Sequence, residues 1–267
     1  MSPVSRRTAL FGALTGSGVL LGGCARIFGA DQLTGSEAFR RVSDVAQSWT
    51  LHTQRFLLSD GAMAKEYRLS DLSPVFKANG TINPGGDDYA RAAADAFANW
   101  TLRIDGMVAR PMSLSLAELR RLPSRTQITR HDCVEGWSAI GQWTGVPLGL
   151  LLKAAGVAPG AKYAVFHCAD DLDGEPDKGG QQAPGRYYES IGLVDAFHPQ
   201  TIIAYAMNGR PLDIAHGAPL RLRVERLLGY KHAKYVQRVQ ITDTLAGIGA
   251  GRGGYWEDRG YDWYAGI

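Results

Sequence analysis

The sequence has little cysteine, no strong excess of one charge and no apolar run long enough to cross a membrane. Only three of its 267 residues are cysteine, which excludes a small disulfide-stabilised scaffold. Basic residues number 29 and acidic residues 26, so the overall charge gives no argument for a nucleic-acid partner. The apolar stretch at 8–23 has 16 residues, whereas a spanning helix needs roughly 20. The chain also lacks a C-x-x-C-H motif, so it predicts no c-type haem.

The composition is that of a folded chain with a sizeable core. Hydrophobic residues make up 45% of the sequence and charged residues 21%, while the 33 glycines favour loops over long helices. Strand-like patterns alternate with long Gly-rich connections and a few short helices. Together they predict a single mixed domain of the α+β class.

Residues 1–23 are typical of an export signal. Arg6 and Arg7 precede the apolar stretch and resemble a twin-arginine signal, which exports proteins already folded. Residues 21–24 resemble a lipobox, with cleavage before Cys24 and lipidation of its thiol; the alternative is an ordinary signal with an incidental cysteine. Removing residues 1–23 leaves 27 basic against 26 acidic residues. We therefore expect a periplasmic protein with a tether at 24–60, lipid-anchored if Cys24 is modified, and a catalytic domain at 61–267.

Local patterns predict several elements of that domain. Residues 126–133 alternate as a strand that places Gln127, Thr129, His131 and Cys133 on one face. A short helix is expected from Ser115 to Leu122, with Ser115 as its cap, and another at 148–155. Further strands are expected at 100–108, 162–168 and 235–242, and a helix or strand at 200–207. The aromatic residues at 255–264 are expected to pack as a tail.

Two short strings, His131-Asp132-Cys133 and His167-Cys168, concentrate reactive side chains. Zinc could use all four His and Cys side chains, although their spacing differs from the usual paired ligands. A disulfide between Cys133 and Cys168 suits an exported protein. In the third interpretation, Cys133 is a lone thiolate ligand or nucleophile whose pKa is lowered by polar neighbours. The residues alone leave all three open.

A basic segment follows at 216–234. The string from His216 to Arg221 and the string from Gly229 to Lys234 combine glycine with arginine and lysine. Glycine lets backbone N–H groups approach an anion, Arg supplies a two-pronged donor and Lys a point charge. The alternative is a solvated basic face. In combination with Cys133, the segment suggests a phosphate-bearing cofactor whose metal needs a thiolate.

The strings RHDCVEGWS at 130–138 and WTGVPL at 143–148 resemble the molybdenum-ligand region of the sulfite-oxidase-type molybdopterin oxidoreductases. Within that family they are most similar to the periplasmic methionine-sulfoxide-reductase branch. The strings at 187–191, 198–199, 216–221 and 229–234 continue the resemblance in order, over residues 75–243. It implies the family's molybdopterin-binding fold and two-electron oxygen-atom transfer.

The resemblance also implies site residues. Cys133 would be the protein ligand to molybdenum, which would carry one pterin and no nucleotide, and Glu135 would lie near the open face of the metal. The implied contacts to the pterin and its phosphate are Asn79, Ile82, Asn83, Cys168, His216, Arg221, His232, Ala233 and Lys234.

Two departures bear on the substrate. Sulfite oxidases have an arginine just after the ligand cysteine that helps to hold the anionic substrate, whereas Glu135 would repel sulfite. Cys168 replaces a threonine of the relatives. We therefore expect a small or protein-bound S-oxide or N-oxide as substrate, with sulfite as the alternative. Without its own haem, the enzyme needs a membrane cytochrome or quinone-linked subunit as electron partner. The competing class is a non-catalytic periplasmic lipoprotein held by a disulfide or zinc.

Overall fold

A computed structural model describes residues 37–57, 59–172 and 185–267. The expected export signal at 1–23 and Cys24 lie outside the described residues. The chain divides into two compact units, residues 1–53 and 54–267. The described part of the first unit is helical, and the second unit contains both sheets. No helix within these ranges is both long enough and apolar enough to cross a membrane.

The elements of the described residues are named here in chain order. The helices are α1 Glu37–Leu57, α2 Asp87–Ala94, α3 Leu116–Arg121, α4 Leu148–Ala155 and α5 Leu193–Ala196. Short 3-10 helices lie at Leu69–Asp71, Gly229–Lys231 and Glu257–Arg259. The strands are β1 Thr101–Gly106, β2 Met112–Ser115, β3 Arg125–Cys133, β4 Trp137–Pro147, β5 Tyr163–Asp171, β6 Arg186–Gly192, β7 Ile202–Met207, β8 Arg210–Pro211, β9 Arg221–Arg223 and β10 Val236–Thr242.

Two mainly antiparallel sheets make up the second unit. One has the strand order β2-β1-β10-β5-β6, in which only the β1–β10 pair is parallel. The other has the order β3-β4-β7-β8, with β9 also paired to β7. Short helices and irregular connections join the strands. This arrangement confirms the expected α+β class.

Helix boundaries follow the expected local chemistry. The Ser115 hydroxyl accepts a hydrogen bond from the Glu118 backbone N–H, and the Glu118 carboxylate accepts from the Ser115 backbone N–H, which caps α3. α4 occupies the expected residues, and Gly156 ends it in the left-handed conformation. The ambiguous segment at 200–207 is the strand β7, because it pairs with β4 and β9 in a buried sheet.

β3 shows the expected alternation, which matters for the site. Gln127, Thr129, His131 and Cys133 are buried on one face, while Arg130 is exposed on the other. β3 pairs with β4 along the whole length of β3, from Arg125 opposite Gly145 to Cys133 opposite Trp137. The hairpin therefore fixes Cys133 at the very end of a rigid strand pair.

Candidate functional site

The β3–β4 turn presents a thiol and a carboxylate to one cavity. The backbone N–H of Gly136 donates to the carbonyl of Cys133 over 3.0 Å, and Gly136 has a positive φ of 83° that closes the turn. The Trp137 indole N–H donates to a Glu135 carboxylate oxygen over 2.9 Å. Glu135 is exposed, yet it lines the same cavity as the buried Cys133.

The cavity has a volume of about 170 Å³ and is bordered by five separate parts of the second unit. These are the loop before α2, the β3–β4 turn, the ends of β5 and β6, the loop around 230–234, and the C-terminal segment. The lining residues are Asn79, Gly80, Thr81, Cys133, Val134, Glu135, Asp170, Leu172, Tyr187, Tyr230, His232, Lys234, Trp256 and Tyr261.

Cys133 forms no disulfide in the structure. Cys133 and Cys168 are both free and buried, so the disulfide interpretation is not supported. The zinc interpretation also fails within the described ranges, because no group of three or more His, Cys, Asp or Glu side chains there could hold a metal ion. The expectation of a lowered pKa for Cys133 is wrong. Burial raises the pKa of this thiol, and the nearby Glu135 carboxylate adds to the rise.

Arg221 and Lys234 are buried cations beside this cavity, and their hydrogen bonds within the described residues go to neutral acceptors. The Arg221 guanidinium donates to Asn79 Oδ1 over 2.8 Å and to the carbonyl of His216 over 3.1 Å. Lys234 Nζ donates to the carbonyl of Ala215 over 3.0 Å and also to that of Thr81. A solvated basic face is therefore excluded, since Arg221 is fully buried.

Burial of the two positive charges of Arg221 and Lys234 is energetically unfavourable when no anion is bound. Burial, and then the charge of Arg223, lower the pKa of Arg221 to about 9. Burial, and then the charge of Arg221, lower the pKa of Lys234 to about 7. Arg223, two residues along β9, differs because the Glu225 carboxylate accepts its hydrogen bonds over 2.6 and 2.9 Å. The buried charges of Arg221 and Lys234, which make no carboxylate hydrogen bond among the described residues, thus indicate a site for an anion.

Two buried histidines add neutral hydrogen-bonding groups. Burial, and then the charge of Arg223, lower the pKa values of His131 and His232 well below the usual range, so both rings are neutral. His232 Nε2 lies 2.9 Å from the carbonyl of Leu227, which makes Nε2 the protonated nitrogen. His232 Nδ1 is a buried acceptor without a partner among the described atoms. It is available to a donor on a ligand.

Gly229 explains how the basic loop comes so near to the ligand strand. A Cβ atom added to Gly229 would lie 2.6 Å from His131 Nε2 and 3.1 Å from the carbonyl oxygen of Asp132. No side chain fits in that space. The glycine at this position therefore allows the loop 229–234 to approach the end of β3.

The other expected contact residues lie outside the cavity lining. Ile82 and Asn83 are exposed, and Cys168 is buried in the main hydrophobic core. Ala233 is buried, and its carbonyl pairs with the backbone N–H of Leu222. His216 lies between Asp213 Oδ1, 2.7 Å from its Nδ1, and the carbonyl of Phe76, 3.0 Å from its Nε2. It positions Arg221 through its own carbonyl.

Sequence reasoning missed Asp170 and Thr81. Asp170 is 3% exposed, and its Oδ1 has no hydrogen-bond partner in the described part of the chain. Burial raises the pKa of this carboxyl to about 7, although Lys234 and Thr81 oppose the rise. Acidic residues at the end of β5 gave a weak signal, but only the fold brings them to Lys234.

We expect sulfate to stabilise the cofactor-free protein more strongly at pH 6 than at pH 8.5. The pKa of Lys234 is lowered to about 7, so its ammonium is mostly charged at pH 6 and mostly neutral at pH 8.5. Asp170, with a pKa of about 7, gains negative charge over the same interval, which also weakens anion binding at high pH. Arg221 and Asp213 are the other charged groups that act on Lys234. Sulfate keeps a constant charge over this range.

The measurement is the rise in Tm with sulfate relative to chloride at equal ionic strength, at both pH values. Lys234→Met is expected to reduce the pH dependence to the part that is due to Asp170. An equal Tm rise at pH 6 and pH 8.5 in the wild type would contradict the assignment of Lys234 to the anion site.

Comparisons with known proteins identify the family of the chain. The profile of the oxidoreductase molybdopterin binding domain matches residues 90–247. A chain named as a protein-methionine-sulfoxide reductase subunit, YedZ1 of Azospira oryzae, is 36% identical over 98% of this chain and 88% of its own length. The protein-methionine-sulfoxide reductase catalytic subunit MsrP of Xanthomonas axonopodis pv. citri is 37% identical over 66% of this chain and 56% of its own length.

A solved structure, the sulfane dehydrogenase SoxCD of Paracoccus pantotrophus, matches with 25% identity and a TM-score of 0.47 over 55% of this chain and 39% of that chain. The profile match covers more than half of the residues, and the first relative is similar over nearly its whole length. The chain belongs to the molybdopterin-binding oxidoreductase family.

Proposed function

We propose that the protein is an exported enzyme that reduces an S-oxide, free or within a protein, by two-electron oxygen-atom transfer. The observation that carries this proposal is one cavity that joins a free Cys133 thiol, a Glu135 carboxylate and the buried Lys234 ammonium, with the buried Arg221 guanidinium beside it. The names of two relatives, both methionine-sulfoxide reductase subunits, support the choice of substrate class.

The residues present fit a molybdenum–pterin cofactor. The buried Cys133 sulfur offers one soft ligand, and metal binding would displace its proton. Arg221 and Lys234 offer charge for a terminal phosphate, and the unpartnered His232 Nδ1 and Asp170 Oδ1 offer acceptors for ring N–H groups. When bound, such a centre supplies a two-electron redox change at which an oxygen atom is gained or lost.

The net reaction consumes an S-oxide, two electrons and two protons, and gives a thioether and water. Glu135 is exposed at the cavity and its carboxylate accepts a hydrogen bond from the Trp137 indole, so it is placed to relay protons between solvent and the substrate oxygen. The electrons come from a partner of the cytochrome or quinone-linked class, in keeping with relatives that are named as subunits. We place this reaction in the periplasm because of the export signal expected at 1–23.

The experiment is metal analysis and assay of protein matured in a host that makes molybdopterin. We expect molybdenum near one atom per chain, and turnover of methionine sulfoxide with a reduced dye as the electron donor. N-oxides and sulfite are assayed in parallel. Absence of molybdenum overturns the proposed function, and so does sulfite oxidation without any S-oxide reduction.

Glu135→Gln tests why an S-oxide is favoured over sulfite. The carboxylate repels an anionic substrate at the same cavity, by roughly 1 kcal/mol for charges about 4 Å apart in water. We expect the substitution to lower KM for sulfite about fivefold and to raise the ratio of sulfite to S-oxide kcat/KM. Glu135→Asp, which keeps the charge, is the matched control. An unchanged ratio in Glu135→Gln would remove this charge from the account of specificity.

A further inference from the structure

Most of the C-terminal segment, residues 243–267, lies beyond the family match, which ends at residue 247. Apart from the short 3-10 helix Glu257–Arg259 it has no helix or strand, yet it is tied to the sheet-bearing unit at several points. The backbone N–H of Tyr255 donates to the carbonyl of Tyr188 over 2.9 Å, and the Tyr230 hydroxyl donates to the carbonyl of Asp262 over 2.6 Å. The segment is therefore part of the folded unit.

A buried ionic triad anchors the middle of this segment. Lys231 Nζ lies 2.5 Å from Glu189 Oε1 and 2.5 Å from Glu257 Oε1, and all three side chains are at most 1% exposed. Burial and the neighbouring Glu257 carboxylate raise the pKa of Glu189 well above its usual range, and the Lys231 ammonium opposes the rise. Lys231 belongs to the same loop, 229–234, that supplies His232 and Lys234. The triad thus joins the tail to the cofactor side of the cavity.

The anchored segment delivers two aromatic rings to the cavity. Trp256 and Tyr261 both line it, together with Cys133 and Glu135. Their rings are stacked, with centroids 5.4 Å apart and planes inclined by 29°. Tyr230, on the opposing loop, meets Tyr261 edge to face with centroids 5.2 Å apart. Tyr261 is 39% exposed, so this aromatic wall, defined as Trp256, Tyr261 and Tyr230, borders the part of the cavity that opens to solvent.

Aromatic rings bind a methyl-bearing S-oxide better than a compact anion such as sulfite. The face of an aromatic ring carries negative partial charge and attracts polarised methyl groups and sulfur, by about 0.3–1.5 kcal/mol for a sulfur–aromatic contact. It offers nothing to a compact dianion, and Glu135 adds repulsion. An S-oxide that bears an S-methyl group places its methyl and sulfur against the rings while its oxygen points away from them.

Resting on the proposed function, we infer that Trp256 and Tyr261 form the substrate-binding wall for the S-methyl group of a methyl sulfoxide. The specificity of this chain would then come from a C-terminal segment that residues 90–247, the shared family region, do not include. The rings bind the substrate and take no part in the oxygen transfer.

The test compares Trp256→Ala, Trp256→Phe and Tyr261→Ala with the wild type, all loaded with molybdenum. We expect Trp256→Ala to raise KM for methionine sulfoxide about tenfold, and this tenfold change corresponds to about 1.4 kcal/mol of binding free energy. The kcat should stay within about twofold of the wild-type value. Trp256→Phe keeps a ring and should stay within about threefold of the wild-type KM. Tyr261→Ala removes a partly exposed ring, so it reports on the wall even if Trp256→Ala folds poorly.

A second readout does not depend on turnover. Titration calorimetry with N-acetylmethionine, a thioether of the product class, should show weaker binding to Trp256→Ala and Tyr261→Ala than to the wild type. Tyr264→Ala is the matched control, because Tyr264 belongs to the same segment and contacts Gln54 instead of the cavity. It should leave both KM and thioether binding unchanged.

Failure of the proposed function and failure of the aromatic-wall proposal give different experimental results. A wild type that reduces no S-oxide overturns the proposed function and the aromatic wall with it. A wild type that is active, with unchanged KM and thioether binding in Trp256→Ala and Tyr261→Ala, overturns the wall alone. Loss of molybdenum from those two variants, with an unchanged KM per loaded site, would also overturn it by assigning the rings to the cofactor.

Discussion

Cys133→Ser is expected to reduce turnover to below about 0.1% of the wild-type value while the protein still folds. Loss of residues that merely orient a metal ligand already costs 10- to 100-fold, so loss of the ligand atom itself costs more. A serine oxygen is a hard donor and a poor substitute for the soft thiolate that such a centre requires. The measurements are molybdenum content, dye-linked S-oxide reduction and Tm on one preparation.

Folding should survive because Cys133 makes no disulfide and lies at the end of a strand pair. Placing a hydroxyl in this buried position costs about 1–3 kcal/mol. For a unit of this size each kcal/mol lowers Tm by about 2–4 °C. A Tm drop of a few degrees is therefore compatible with the ligand role.

Ser138→Ala provides the control on the neighbouring strand. Its hydroxyl donates to Asp132 Oδ1 over 2.5 Å and does not line the cavity. We expect this variant to keep its molybdenum and its activity. If Cys133→Ser keeps full turnover and its molybdenum, Cys133 is not the metal ligand. If it prevents folding, Cys133 has a structural role.

Several elements of this fold could be predicted because they depend on interactions between residues that are close in sequence. The capped helix α3, the helix α4 with its terminal glycine and the alternating strand β3 follow from spacing and from side-chain chemistry within a few residues. Cys133 stood out for the same reason, since its motif is contiguous. The strand that ends at Cys133 needed no tertiary information, whereas the choice between a free thiol, a disulfide and a zinc ligand did.

Tertiary structure decided what the sequence left open. The alternation of Leu220, Arg221 and Leu222 suits an exposed basic face as well as a buried one, and only pairing of β9 with β7 buries the arginines. Asp170 is 64 residues from Lys234 along the chain and acts on it only because β5 pairs with β10. Trp256 and Tyr261 reach the cavity through a tail without regular structure, which periodicity cannot predict.

Arg221→Met is expected to lower cofactor affinity about 100-fold without destabilising the cofactor-free protein. Among the described residues no carboxylate accepts a hydrogen bond from Arg221. The guanidinium donates to Asn79 and to the carbonyl of His216, its carbon lies 5.1 Å from the Trp143 ring, and Glu225 attracts its charge from a distance. A bound phosphate would accept charge-assisted hydrogen bonds worth about 1.5–3 kcal/mol each. Removing the cation therefore harms the loaded state and spares the empty one.

Arg223→Met is the matched control, since it is the same substitution two residues away on β9. Arg223 and Glu225 are both fully shielded from solvent and paired over 2.6 Å, so this variant leaves a buried carboxylate without its cation. The expected cost is about 3–5 kcal/mol of folding free energy with or without cofactor. Denaturant unfolding of cofactor-free protein and molybdenum content of matured protein separate the two patterns.

Arg221→Met and Arg223→Met are expected to change the free energy of unfolding of the cofactor-free protein differently, so this measurement distinguishes their roles. For Arg221→Met we expect a cofactor-free free energy of unfolding equal to or above the wild-type value, together with protein that retains little molybdenum. For Arg223→Met we expect a lower free energy of unfolding in the same assay. If Arg221→Met instead unfolds as easily as Arg223→Met and the surviving protein retains its molybdenum, Arg221 supports the fold and the anion lies elsewhere. A buried cation kept at a net cost to the empty protein is what a site completed by an anionic cofactor requires.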